Sequence, residues 1–171
     1  MQQPSRLRFI AVLAILSLLT ACSRSTPQQP PPPKPPLEFL GEWGTRGNGP
    51  GQLSGPSGIA TDSVGNVYIS DSGSGFIHKF DPSGQPLLSF QDGRIRSPAA
   101  ITVDSGGAIY VFDLKRNSVL VFYPDGTWLR ETRGKGGRPF EGPCRIAVDD
   151  EGNLFVLEGR AGRIQKLDTR G

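Results

Sequence analysis

The chain has 171 residues, with 23 glycines, 16 prolines and 36% hydrophobic residues. That is enough for one ordinary domain and excludes a fully disordered acidic or basic tail. The formal charge of +3 does not mark a nucleic-acid binder: Arg6, Arg8, Arg24 and Lys34 stand without an acid in the first 36 residues, and beyond them 15 basic residues face 16 acidic ones.

In chain order, two arginines before Arg8's neighbour Phe9 lead into an apolar or small-residue stretch of 11, Phe9 to Leu19. That is too short to span a bilayer and suits a signal-peptide core. It ends in Leu19-Thr20-Ala21-Cys22, which resembles the lipobox of bacterial lipoproteins. The resemblance implies cleavage before Cys22 and acylation of its thiol, with residues 1–21 a signal peptide and 22–36 the acylated cysteine and a Pro-rich tether. Several acyl chains on one residue make a stable anchor. Ser23 stands where an inner-membrane retention signal has Asp, which implies an exported protein on the outer membrane, facing the periplasm or the cell surface. Pro30–Pro33, Pro35 and Pro36 read as a semi-rigid polyproline spacer. With Cys22 used, Cys144 is the one thiol left and His78 the one histidine. An internal disulfide, a Cys-based zinc cluster and a multi-histidine site are thereby excluded, and no metal or cofactor is expected.

The rest of the chain, residues 37–171, is organised by a repeat. Pro56-Ser57-Gly58-Ile59-Ala60-Thr61-Asp62 returns as Pro98-Ala99-Ala100-Ile101-Thr102-Val103-Asp104 and as Pro143-Cys144-Arg145-Ile146-Ala147-Val148-Asp149, at spacings of 42 and 45. Each unit holds four short β-rich runs; in the first they are 58–61, 66–70, 76–80 and 86–90. Asp62 to Gly65 and Asp81 to Gly84 have tight-turn chemistry, an Asp bonding the backbone ahead of it and a Gly taking positive φ. Four antiparallel strands every 40-odd residues predict a propeller blade. The consensus, together with Gly44–Leu53 as an inter-blade loop, resembles the NHL repeat. The expected fold is an all-β propeller of four-stranded NHL-type blades, three per chain and half of a six-bladed ring. The third copy departs from the pattern at Arg145 and at Glu158.

Individual residues can be sorted on this frame. Gly134-Lys135-Gly136 lacks the upstream glycine and the Ser/Thr of a phosphate-binding loop. Asp62, Asp104 and Asp149 recur as turn caps, and Asp71, Asp113 and Glu158 are expected to bond loop backbone. His78, aligned with Leu120 and Gln165, reads as a solvated sheet residue. The channel-lining runs 58–61, 100–103 and 145–148 are nearly all small or aliphatic, with no catalytic or ligand set.

Function is therefore expected to be binding rather than catalysis. The alternative is a channel-site enzyme, since propellers similar to this one include calcium-dependent lactonases and zinc-dependent amidating lyases. Leu37–Trp43 aligns with an outermost strand (Leu40 and Trp43 with Leu87 and Phe90), which predicts a homodimer whose N-terminal strands complete the partner's last blade. The competing expectation is the front part of a longer propeller. By blade phase, one loop face collects Arg46, Arg94, Arg96, Lys115, Arg116, Arg133, Lys135, Arg138, Arg145 and Arg160 against five acids. The other collects Asp62, Asp81, Asp104, Asp125, Asp149, Asp150, Glu151 and Asp168 against Arg170. A field of one sign concentrates oppositely charged ligands. Arg145, Arg116, Lys115, Arg160, Arg138 and Arg96 are thus the candidate ligand residues, and the expected ligand is an anionic glycan, a phosphorylated polymer or an acidic peptide. A nucleic acid is not expected for an exported protein.

Overall fold

The computed structural model describes residues 37–134, 136 and 139–168. The chain divides into two compact units after Phe39, and all the strands described lie in the second. Cys22, Lys135 and Arg138 lie outside the described residues, as do the signal peptide and the tether.

Two short parallel strands, β1 (Thr45–Arg46) and β2 (Gln52–Leu53), come first. Three antiparallel meanders follow. The first blade is β3 (Pro56–Thr61), β4 (Val67–Asp71), β5 (Ile77–Phe80) and β6 (Pro86–Phe90). The second is β7 (Pro98–Val103), β8 (Ile109–Asp113), β9 (Ser118–Phe122) and β10 (Trp128–Thr132). The third has three described strands, β11 (Pro143–Val148), β12 (Asn153–Glu158) and β13 (Arg163–Asp168). No α-helix occurs among the described residues, so none there is long and apolar enough to cross a membrane. The chain is a partial β-propeller of three blades.

Turn chemistry sets the blade boundaries. The Asp62 carboxylate accepts the N–H groups of Val64 (3.1 Å) and Asn66 (2.9 Å), and Gly65 closes the turn at φ +88°. Asp104 repeats this with Gly106 and Ala108, and Asp81 with Ser83 and Gln85. Each innermost strand opens with Pro and then a one-residue bulge, between Pro56 and Gly58, Pro98 and Ala100, and Pro143 and Arg145. Proline has no N–H to give to a ladder, so the strand start before a bulge is where it fits.

The core lies between blades. Tyr68 and Ile77 of the first blade pack with Ile101, Val111, Leu120 and Phe122 of the second. Phe112, Val119 and Val121 of the second pack with Leu154 and Val156 of the third. Strands β8 and β9 are buried along their whole length, since a blade covers each of their faces. Full burial of side chains such as Phe122 contributes about 1.5–3 kcal/mol each. Gly58 marks the closest approach of β3 and β7: a Cβ there would overlap the Ala99 carbonyl oxygen and lie 2.6 Å from Ser70 Oγ.

One expectation needs correction. His78 is not solvated but fully buried. It faces the glycine-rich segment over the first blade, with Nδ1 at 2.9 Å from Ser89 Oγ and 3.4 Å from the Gly51 N–H, and its ring stacks on Phe76 at 5.3 Å. Residues 37–43 form no strand within the single chain; the strand expected of them belongs to a blade of a partner.

Candidate functional site

At the strand-start end of the sheets, one residue type ties each blade's loops together. The Asp71 carboxylate accepts four backbone N–H groups: Ser54 (2.6 Å), Gly55 (2.9 Å), Gly73 (2.9 Å) and Ser74 (2.9 Å). Burial pushes this carboxyl up, but the N–H groups of Ser74, Ser54 and Gly55 outweigh it and hold the acid below the ordinary carboxylate range. Asp113 takes the N–H groups of Arg96 (2.6 Å), Ser97 (2.7 Å) and Arg116 (2.9 Å). In the third blade Glu158 takes the N–H of Glu141 (2.6 Å) and is also bonded by Arg163, whose Nε and a terminal nitrogen each lie at 3.1 Å. All three acids are fully buried, so the expected backbone role holds.

These clamps build a loop face between the first two blades. The turn after β4 (Ser72–Gly75), the loop from β6 into β7 and the turn after β8 enclose a cleft of about 490 Å³ that Arg96 and Lys115 both line. Both side chains are exposed, and neither makes an ion pair among the described residues. The Asp92 carboxylate on the same rim is occupied by Arg94 (3.0 Å), which also lies 4.6 Å from the centroid of the Trp128 ring.

The other candidates are dispersed. Arg116 is committed to Glu131 across the blade at 3.1 Å, and Arg133 meets the same carboxylate at 3.0 Å. Arg160 is exposed on the turn after β12, its Cβ against Gly142. Arg145 is exposed on β11 and lines a smaller hollow of about 160 Å³ with Ser57 and Ala100 of the other two inner strands. The structure thus joins Arg96 to Lys115, with Arg145 set apart on the channel side. Sequence reasoning did not find the neutral part of the cleft, Gly73–Gly75 and Gln91; the Ser-Gly-Ser-Gly run after Asp71 was the available signal.

The opposite end is acidic. Turns after β3, β7 and β11 bring Asp62, Asp104, Asp149 and Asp150 around a hollow of about 200 Å³. Three of these carboxylates are occupied: Asp62 by Tyr68 (3.2 Å), Asn66 and Lys79, Asp104 by Tyr110 (3.1 Å), and Asp149 by Asn153 and Lys166. Among the described residues no group of three or more His, Cys, Asp or Glu side chains could hold a metal ion.

No family model matches the chain, and no curated protein matches it. Solved structures do. The hydrazine synthase of Kuenenia stuttgartiensis matches with TM-score 0.56 and 22% identity over 68% of this chain and 33% of that one. A chain of a nidogen/laminin complex matches with TM-score 0.59 and 25% identity, over 68% and 45%. A catalytically inactive virginiamycin B lyase from Staphylococcus aureus, solved with quinupristin, matches with TM-score 0.55 and 18% identity, over 70% and 41%. These β-propeller neighbours share the fold, and the chain spans between a third and under half of their length.

Proposed function

We propose that this propeller is a binding module, held at the cell envelope by an acylated Cys22, that takes anionic ligands on its basic loop face. One observation carries the reading: Arg96 and Lys115, exposed and free of ion pairs among the described residues, line one cleft. A guanidinium fork and an ammonium at one site suit carboxylate, sulfate or phosphate groups. The Asp113 clamp supports this use, because it fixes the backbone of Arg96 from beneath while leaving the side chain free. A propeller in a nidogen/laminin complex is a parallel for a fold that serves protein association. No specific observation favours the enzyme reading.

The test is retention of the full chain on an immobilised polyanion such as dextran sulfate, eluted with salt. Arg96→Glu with Lys115→Glu should abolish retention while the thermal melt stays unchanged, and Arg116→Glu should affect the melt more than the retention. Full retention by the double variant refutes the cleft as the site. Anchoring is tested separately by fractionation: Cys22→Ser should leave an uncleaved or soluble product, and unaltered membrane partition would refute the lipid anchor.

A further inference from the structure

Among the described residues, the outer strands of the first two blades have no counterpart in the third. Strand β6 pairs with β5 and β10 with β9, whereas β13 pairs with β12 alone among the described residues. Residues 40–43 carry the opposite imbalance. Aligned on the repeat, Leu40, Gly41, Glu42 and Trp43 fall on Leu87–Phe90 of β6 and on Leu129–Thr132 of β10, with Glu42 on Glu131. They form no strand, yet Trp43 repeats the position of a β6 residue. Phe90 lies over Gly126, in the β9–β10 turn of the following blade, so closely that a Cβ there would be 2.8 Å from the ring. Trp43 lies in the same way over Gly84, in the matching turn of the first blade, where a Cβ would overlap the indole. It therefore sits where the outer strand of a preceding blade would put it, without the inner strands of such a blade.

The flanks show what is missing. Leu157 and Ile164, on the far side of the third blade, are 40% and 64% exposed, whereas Phe112 and Val119 at the same positions of the second are 1% and 0%. On the first blade Ile59 is 69% exposed against 5% for its equivalent, Ile101. An open strand edge between apolar flanks is a template for another chain.

We propose that residues 40–43 of one copy form the fourth strand on β13 of a second copy, and reciprocally, so that two chains close a ring of six blades. One segment holds both the outer-strand sequence and the outer-strand position, and β13 is the described strand whose outer edge lacks that partner. The β5–β6 register, in which Ile77 faces Phe90, His78 faces Ser89 and Lys79 faces Leu88, places Trp43 on Ile164, Glu42 on Gln165 and Gly41 on Lys166. The indole then covers the exposed Ile164, and Glu42 falls on the strand face that carries Arg163, an opposite charge at diagonal spacing. The exchange makes the contact isologous and closed, and it stands independently of the ligand reading.

The experiment uses the full chain in detergent, with Cys144→Ser and with Glu42→Cys and Gln165→Cys together, treated with a short bis-maleimide. A covalent dimer on a denaturing gel is expected from the double variant and not from either single one. Sedimentation of the unmodified protein should give twice the chain mass, and Trp43→Ser should raise the dimer dissociation constant at least ~tenfold, the loss of one buried aromatic contact per interface. Because the cross-link needs no change at Trp43, misfolding of that variant leaves the test intact. A monomer at all concentrations, or a link closing within one chain, overturns the proposal and assigns the edge of β13 to a different segment.

Discussion

Asp113 offers the sharpest test of how the loop face is held. Its two oxygens take three backbone N–H groups, Arg96 and Ser97 on Oδ2 at 2.6 and 2.7 Å and Arg116 on Oδ1 at 2.9 Å, and the side chain is fully buried. Asp113→Asn keeps the shape and removes the charge. The single remaining oxygen will turn to the two-donor side, where both bonds fall from charged to neutral strength, about 1 kcal/mol each. The new NH₂ then opposes the Arg116 N–H and leaves it unpaired, a cost of about 1–3 kcal/mol. The sum is about 3–5 kcal/mol, a large fraction of a domain's stability. With a urea m value of about 2 kcal/mol per molar, the unfolding midpoint should fall by roughly 2 M. Circular dichroism against urea measures this, and hydrogen exchange should rise at residues 94–97 and 114–117 before elsewhere. Asp113→Glu should be milder, since the third blade already uses Glu158 at this position. A midpoint unchanged within about 0.3 M would refute the clamp.

Two further outcomes are expected. Gly58→Val should force β3 from β7 against the Ala99 carbonyl, costing about 2–3 kcal/mol and lowering the melting temperature by roughly 10 °C in scanning fluorimetry; a melt within about 2 °C of the parent contradicts the close approach. Burial, opposed by Asp71, holds His78 below its ordinary value, near 6.5, and a proton on Nδ1 would face the Gly51 N–H and lose an acceptor. The depressed folded value means that its stabilisation is complete above about pH 6.5 and is lost as pH falls towards that value. Stability should therefore decline between pH 7 and 5, before the carboxylates titrate, and His78→Leu should flatten that decline; parallel pH profiles for the two proteins refute it.

Much of the blade pattern can be read from the chain because its boundaries are local chemistry. The run 86–90 matches β6 residue for residue, and 66–70 differs from Val67–Asp71 by one position at each end. Asp-to-Gly turns and the prolines at 56, 98 and 143 act within a few residues, so no distant contact is needed to place them. His78 failed for the opposite reason. Its burial comes from Gly51, 27 residues upstream, although the alignment with Leu120, itself fully buried, carried the warning. Arg116 likewise looked available until the β9–β10 register set Glu131 within its reach. The cleft was legible only in part: blade phase puts Arg96 and Lys115 on one loop face, but its three walls come from segments some twenty residues apart that only the blade packing brings together.

The two loop faces also differ in what their charges do for the fold. Asp62, Asp81, Asp104, Asp125 and Asp149 each bond backbone or neighbouring side chains in their own turns. Turn geometry therefore accounts for these five acids of that face without any ligand. On the basic face Arg94, Arg116 and Arg133 are held in ion pairs, which accounts for them in the same way. Arg96 and Lys115 differ: what the fold needs at Arg96 is the backbone N–H, and no bond or ion pair among the described residues engages either charged end. Their exposed charges contribute little to stability at such sites. Reversing them changes the field over the cleft while leaving the Asp113 clamp in place, so a loss of polyanion retention from that pair reports on the surface and not on folding.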